Sequence, residues 1–320
     1  MSKVILITTG GTIASAVNEE SGKLTSGALT GEELAGLCDL PGDIHVEVDS
    51  MLQKPSMHLT FEDYMDIRSR IYSYFEDEDV DGIVLTHGTD TLEETAYFLD
   101  LTIHDARPVV VTGSQRSPGE LGSDVYINLR HAIYSAQSND LRNAGTVVVF
   151  NERIFAAKYV KKEHASNIQG FNAFGFGYLG IIDNDEVYVY QKPLKRETYS
   201  VAHSVPRVDI IKCYINGEGT LIKAARENGA EGIVLEGVGR GQVPPLMMPE
   251  IKRSIAEGIK VVITTSSEEG AVYTTYDYEG SAHQLVKEGV ILGKDYDSKK
   301  ARIKLAVLLA SGCKNIPGQF

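Results

Sequence analysis

A chain of 320 residues, 42% of them apolar and 23% charged, is long enough for two domains that each bury a core. Its formal charge of −13 excludes the basic surface that a nucleic acid or an anionic membrane requires. The apolar run at Val4–Ile7 is far too short for a membrane span or the core of a signal peptide. The three cysteines, Cys38, Cys213 and Cys313, are odd in number, far apart and not at metal-ligand spacing. The chain therefore reads as mature and cytoplasmic, without a disulfide framework.

Lys3–Thr9 predicts a buried strand that ends in Gly10, Gly11 and Thr12. The glycine pair lacks the pattern of a phosphate loop and the spaced glycines of a dinucleotide fingerprint, which leaves a threonine hydroxyl at a strand end. Residues 17–31 are polar and show no period, as in a lid loop. A short helix over 30–38, a strand over 46–52, the turn Lys54-Pro55-Ser56-Met57 and a helix over 60–75 follow. Ile83, Val84 and Leu85 form the next buried strand and run into Thr86-His87-Gly88-Thr89-Asp90. Thr91 and Glu94 have capping-box spacing, and Leu92, Ala96, Leu99 and Ile103 continue as a helical apolar stripe.

Further on, 108–112 predicts a strand ending in Gly113-Ser114-Gln115-Arg116, 123–136 a helix and 145–150 a strand. Residues 151–180 read as irregular, with Lys158, Lys161 and Lys162 in a run. The proline- and lysine-containing stretch 192–208 predicts a linker between an amino-terminal domain over 1–191 and a carboxyl-terminal domain over 209–320. In the second part, strands over 208–214, 232–236 and 260–265 alternate with helices over 219–228 and 249–257, and a last helix covers 298–311. The expected fold is α/β: a larger, doubly wound, mostly parallel amino-terminal sheet of Rossmann or flavodoxin-like kind, then a smaller α/β domain with a parallel sheet.

In a parallel sheet the ends TTGGT, THGTD and TGSQRS lie on one edge, where ligands bind, so their polar groups can converge. Threonine hydroxyls are poor nucleophiles unless a base takes the proton. A lysine serves as that base only when burial or charge discharges its ammonium, whose reference pKa is about 10.4. Two threonines, an aspartate and a lysine suit amide hydrolysis through an acyl-enzyme, with backbone N–H groups on the oxyanion.

ITTGGTIAS (Ile7–Ser15) and LTHGTDTLEETAYFLDL (Leu85–Leu101) resemble the two signatures of the bacterial-type L-asparaginase family, also called the asparaginase/glutaminase family. The resemblance continues through VVVTGSQR, Val160-Lys161-Lys162, Glu236–Gly241 and Lys299–Arg302, and so spans nearly the whole chain. It implies a cytoplasmic enzyme that hydrolyses L-asparagine, with minor L-glutaminase activity, no cofactor or metal, and a homotetramer built from close dimers. Thr12 matches the nucleophile. Thr89, Asp90 and Lys162 match the proton relay, and Asp90 also the ligand of the substrate α-amino group. Ser56 matches a carboxylate ligand, and Ser114 lies in the turn that contacts the side-chain amide. His87 reads as a structural hydrogen-bonding residue.

The departures from the family pattern are specific. Leu24 stands where many members carry a lid tyrosine, and no tyrosine precedes Tyr64. Tyr276 is the candidate substitute, supplied as in some relatives by a partner subunit's second domain. Met57 replaces the glutamine of secreted relatives, Gln242 their neighbour-contributed asparagine, and Asp277 falls near their partner-donated glutamate. Two other readings compete: an amino-acid-binding sensor on the same fold, and the ammonia-supplying subunit of a tRNA-linked amidotransferase. The nucleophile and relay speak against the first. Against the second stands the extra amino-terminal domain of such subunits.

Overall fold

Runs of β-branched residues between polar turns form the strands, and the helices between them cover both sheet faces. The structure, a computed structural model, describes residues 2–17, 24–25, 30–36, 38–202 and 204–320. It divides into two compact units, Met1–Thr198 and Tyr199–Phe320.

The first unit begins with β1 (Ser2–Thr8), β2 (Ala16–Val17), β3 (Leu24–Thr25), α1 (Gly31–Gly36), β4 (Ile44–Ser50), α2 (Phe61–Phe75), β5 (Val80–Thr86) and α3 (Leu92–Thr102). It continues with β6 (Val109–Thr112), α4 (Val125–Gln137), β7 (Thr146–Phe150), β8 (Arg153–Ala156), β9 (Lys161–Lys162), β10 (Phe171–Asn172), β11 (Gly180–Asp183) and β12 (Glu186–Val189). Eight strands form one sheet in the order β12-β11-β8-β7-β6-β5-β1-β4. The five from β4 to β7 are parallel, and β8, β11 and β12 extend the sheet antiparallel.

Within the parallel part the order is that of a flavodoxin-like sheet, with its topological switch beside β1, between β1 and β5. Val4, Leu6, Val84, Val110 and Val147 pack with Val125, Leu129, Ala132 and Ala136 of α4 on one face. Helices α2 and α3 cover the other face. Each of the valines and leucines among them, fully withdrawn from water, contributes roughly 1.5–3 kcal/mol. The unit is thus doubly wound, with the strand-end turns of β1, β5 and β6 on one edge.

Several local expectations are corrected. Residues 151–180 carry β8 and the two-stranded β9-β10 ribbon, with β11 following at once. The loop expected over 17–31 takes part in a short antiparallel pair that begins one residue before it, Ala16 with Thr25 and Val17 with Leu24; residues 18–23 and 26–29 of that expected lid lie outside the described residues. The Thr91 side chain makes no cap hydrogen bond to α3. Its hydroxyl donates instead to the Ser56 carbonyl at 3.0 Å. The α3 helix is no narrow stripe either: Leu92, Glu93, Thr95–Leu99, Leu101 and Thr102 are all buried.

The second unit consists of β13 (Val208–Lys212), α5 (Thr220–Glu227), β14 (Gly232–Gly237), α6 (Met248–Ala256), β15 (Lys260–Thr265), α7 (Ala282–Lys287), β16 (Ile291–Leu292) and α8 (Ser298–Ala310). Its four strands lie in chain order and all run parallel. The sequence reading omitted α7 and β16.

Candidate active site

The turns after β1 and β5 meet at the switch point, and glycine lets them touch. A Cβ on Gly11, whose φ is +85°, would lie 2.5 Å from the Gly88 backbone. A Cβ on Gly88 would lie 2.9 Å from the Ser56 side chain. These approaches, closed to any residue with a side chain, draw Thr12, Ser56 and Thr89 together.

The result is a cavity of about 330 Å³ lined by Gly11, Thr12, Ser15, Pro55, Ser56, Gly88, Thr89, Asp90, Gln115, Lys162 and Ala165. That volume suits a small metabolite. A larger cavity of the same unit, about 480 Å³, has mainly apolar walls including Tyr97, Leu101, Tyr159 and Leu194. Chemistry rather than size picks out the first.

Lys162 comes from the short strand β9, and its side chain is only 14% exposed. Its Nζ donates to Thr89 Oγ1 at 2.8 Å and to Asp90 Oδ1 at 2.7 Å. Its main-chain N–H donates to Oε2 of the buried Glu93 at 2.9 Å. The Thr89 hydroxyl donates in turn to Gln115 Oε1 at 3.2 Å. The Asp90 side chain is 66% exposed and open to a ligand as well as to the lysine. Thr12 sits in a 3₁₀ turn directly after the glycine pair. Ser15 closes that turn by donating from Oγ to the Gly11 carbonyl at 2.8 Å.

His87 is fully buried one residue before Gly88. Its Nδ1 donates to the Gly88 carbonyl at 2.8 Å, so Nε2 accepts from the Thr95 hydroxyl, also at 2.8 Å. Burial pushes the imidazole down to about 4, which keeps it neutral, and the Gly88 carbonyl fixes this tautomer. The ring holds the turn and does not face the cavity, as the sequence reading expected of it.

Of the expected site residues, Thr12, Ser56, Thr89, Asp90 and Lys162 all line this one cavity. Ser114 does not: it is fully buried and its hydroxyl donates to the Arg116 carbonyl at 2.7 Å. Its neighbour Gln115 lines the wall instead. Met57 is 67% exposed and also absent from the lining. Gln242, Tyr276 and Asp277 belong to the second unit and are not among the lining residues. Gln242 Oε1 accepts from the Ala282 N–H at 3.0 Å, while the Tyr276 ring lies 5.7 Å from that of Tyr278. The Asp277 side chain is 86% exposed and 3.9 Å from His283 Nε2. Sequence reasoning missed Glu93, Gln115 and Ser15. Each lay within a quoted motif: Ser15 at the end of ITTGGTIAS, Glu93 within LTHGTDTLEETAYFLDL and Gln115 in the polar strand end beside β5.

Comparison with known proteins places the whole chain in one family. The family model for the amino-terminal asparaginase domain matches residues 3–195, and the glutaminase/asparaginase carboxyl-terminal domain matches residues 207–316. The chain belongs to the asparaginase family. Within this family it is 63% identical to an L-asparaginase of Bacillus licheniformis, over 99% of this chain and 98% of that one. It is 32% identical to L-asparaginase 2 of Bacillus subtilis strain 168, over 97% of this chain and 83% of that one. The crystal structure of the probable cytoplasmic L-asparaginase from Campylobacter jejuni superposes on this family member with a TM-score of 0.89 at 30% identity, covering 100% of this chain and 98% of that one.

Proposed function

We propose that the protein is a cytoplasmic amidohydrolase that converts L-asparagine to L-aspartate and ammonia through an acyl-enzyme on Thr12. The observation that carries this reading is the lining of one small cavity by Thr12, Ser56, Thr89, Asp90 and Lys162, with the lysine hydrogen-bonded to both Thr89 and Asp90. Ser56 takes the substrate's α-carboxylate, and the exposed side of Asp90 takes the α-ammonium. Thr12 Oγ attacks the side-chain carbonyl, and its proton passes through Thr89 and Lys162 to the leaving ammonia. Backbone N–H groups of the glycine turns carry the oxyanion. Water then reverses the path and releases aspartate. Lys162 Nζ, donating to both Thr89 and Asp90, is held at the far end of that relay.

The same pocket hydrolyses L-glutamine weakly, because one methylene changes transition-state binding by only about 1–3 kcal/mol. The protein assembles as a homo-oligomer, a dimer of close dimers, and Gln242, Tyr276 and Asp277 from the second unit of a neighbouring copy complete the site. Tyr276 stands in for the lid tyrosine. Sedimentation at several concentrations tests the assembly, and full activity in Tyr276→Phe rejects that substitution for the lid. The test of the reaction itself is ammonia release from L-asparagine, L-glutamine and D-asparagine, alongside Thr12→Ala. Release from L-asparagine that Thr12→Ala abolishes supports the reading; release that the variant retains ends it.

A further inference from the structure

The Gln115 side chain makes contacts that reach beyond the cavity wall. Its backbone is anchored: the N–H groups of Gln115 and Arg116 each donate to the buried Asp124 carboxylate at 3.0 Å. Asn128 Nδ2 also donates to Asp124, at 3.0 Å. From this base the side-chain amide bridges two other segments. Nε2 donates to the His164 carbonyl at 3.2 Å, two residues beyond the strand β9 that carries Lys162. Oε1 accepts from the Thr89 hydroxyl at 3.2 Å.

A carbonyl partner on one side settles which end of the amide is oxygen, and therefore where the Thr89 proton points. The hydroxyl proton lies toward Gln115, so an oxygen lone pair receives Lys162 Nζ at 2.8 Å. The amide also has a fitted seat. A Cβ on Gly170 would lie 2.0 Å from Gln115 Nε2 and 3.0 Å from its Cδ. Gly170 is not at positive φ. Room for that amide and for the Asn167 carbonyl, rather than backbone conformation, is what glycine provides there.

We propose that Gln115 is a positioning residue for the Thr89–Lys162 pair: seated against Gly170, it holds the Thr89 side chain with its oxygen toward Lys162, the resting state from which the hydroxyl turns to pass a proton, and registers the segment after β9 on the β5 turn. The proposal rests on the threonine relay above and adds to it a residue, and a distant glycine, through which that relay is aligned.

The test is a kinetic double-mutant cycle on the full chain with L-asparagine. Gln115→Met keeps length and loses both hydrogen bonds; kcat is expected to fall about tenfold or more while KM moves less than about threefold. Gly170→Ala is expected to lower kcat similarly by unseating the amide. In a Gln115→Ala background most of that second loss is expected to vanish, with only the contact to the Asn167 carbonyl, 2.9 Å from the added Cβ, persisting. Thermal unfolding of each variant separates misfolding from misalignment. Wild-type kcat in Gln115→Met, or a Gly170→Ala loss undiminished in the Gln115→Ala background, overturns the proposal. Inactive Thr12→Ala beside unimpaired Gln115→Met overturns it alone. Active Thr12→Ala removes the relay itself, and this proposal with it.

Discussion

Gly11 lies so close to Gly88 that a Cβ on the first would stand 2.5 Å from the nitrogen and Cα of the second. Two turns from strands more than seventy residues apart are thereby packed backbone to backbone, and the hydroxyls of Thr12 and Thr89 reach one cavity. Gly11→Ala meets both that contact and a φ of +85°. It is expected to lose about 1–3 kcal/mol of stability from backbone strain, and kcat by about a hundredfold from displaced groups. Urea unfolding and ammonia release measure the two; a variant normal in both contradicts the packing argument.

Glu93 accepts from the Lys162 main chain while only 1% exposed. Glu93→Ala leaves that donor without this acceptor and opens a void, which costs about 1–3 kcal/mol. Glu93→Gln keeps an oxygen in reach and should recover most of the stability and turnover. Equal behaviour of the two variants in denaturation and steady-state assays would show that the main-chain bond is unimportant.

His87 gives a pH dependence of definite sign. The unfolded chain protonates this ring below about 6.5, whereas the folded chain refuses the proton until about 4. Between those values the unfolded state binds more protons, so stability falls as pH drops through the window. At about pH 4.5 the wild type should have lost about 2–3 kcal/mol on this account relative to neutral pH. Urea midpoints of wild type and His87→Gln, taken at both pH values, isolate the contribution. An identical pH slope in the variant excludes His87 as its source.

Much of this was legible in the sequence, for physical reasons. Strands buried on both faces, such as β1, β5 and β6, read as unbroken apolar runs, and their polar ends mark one sheet edge. The antiparallel extension was not legible. The Asn151-Glu152 and Asn184-Asp185 turns put both residues at positive φ, with values of 47–63°. They are two-residue hairpins, yet neither contains the glycine that usually announces one. The edge strand β12 is half exposed and offers little apolar contrast. Within the site, Thr12, Thr89, Asp90 and Lys162 follow from their motifs. Gln115, Glu93 and Gly170 matter through contacts between distant segments, to which local spacing is blind. The Thr91 side chain illustrates the same limit: despite its capping-box spacing it makes no cap bond, and its hydroxyl donates to the Ser56 carbonyl of a distant turn.

Removal of the proposed nucleophile should be far more damaging than any of these changes. Thr12→Ala is expected to lose at least about a thousandfold in turnover, roughly 4 kcal/mol of transition-state stabilisation. Its folding should be little altered, since the residue lies at a half-buried turn.

The most direct measurement is rapid acid quenching of the enzyme turning over L-asparagine, followed by peptide mapping for a covalent aspartyl ester. The ester should sit on the peptide containing Thr12 and, within it, on that hydroxyl. An ester on Ser15 or Thr89, or none trapped at any time while ammonia is released at the full rate, would contradict a Thr12 acyl-enzyme.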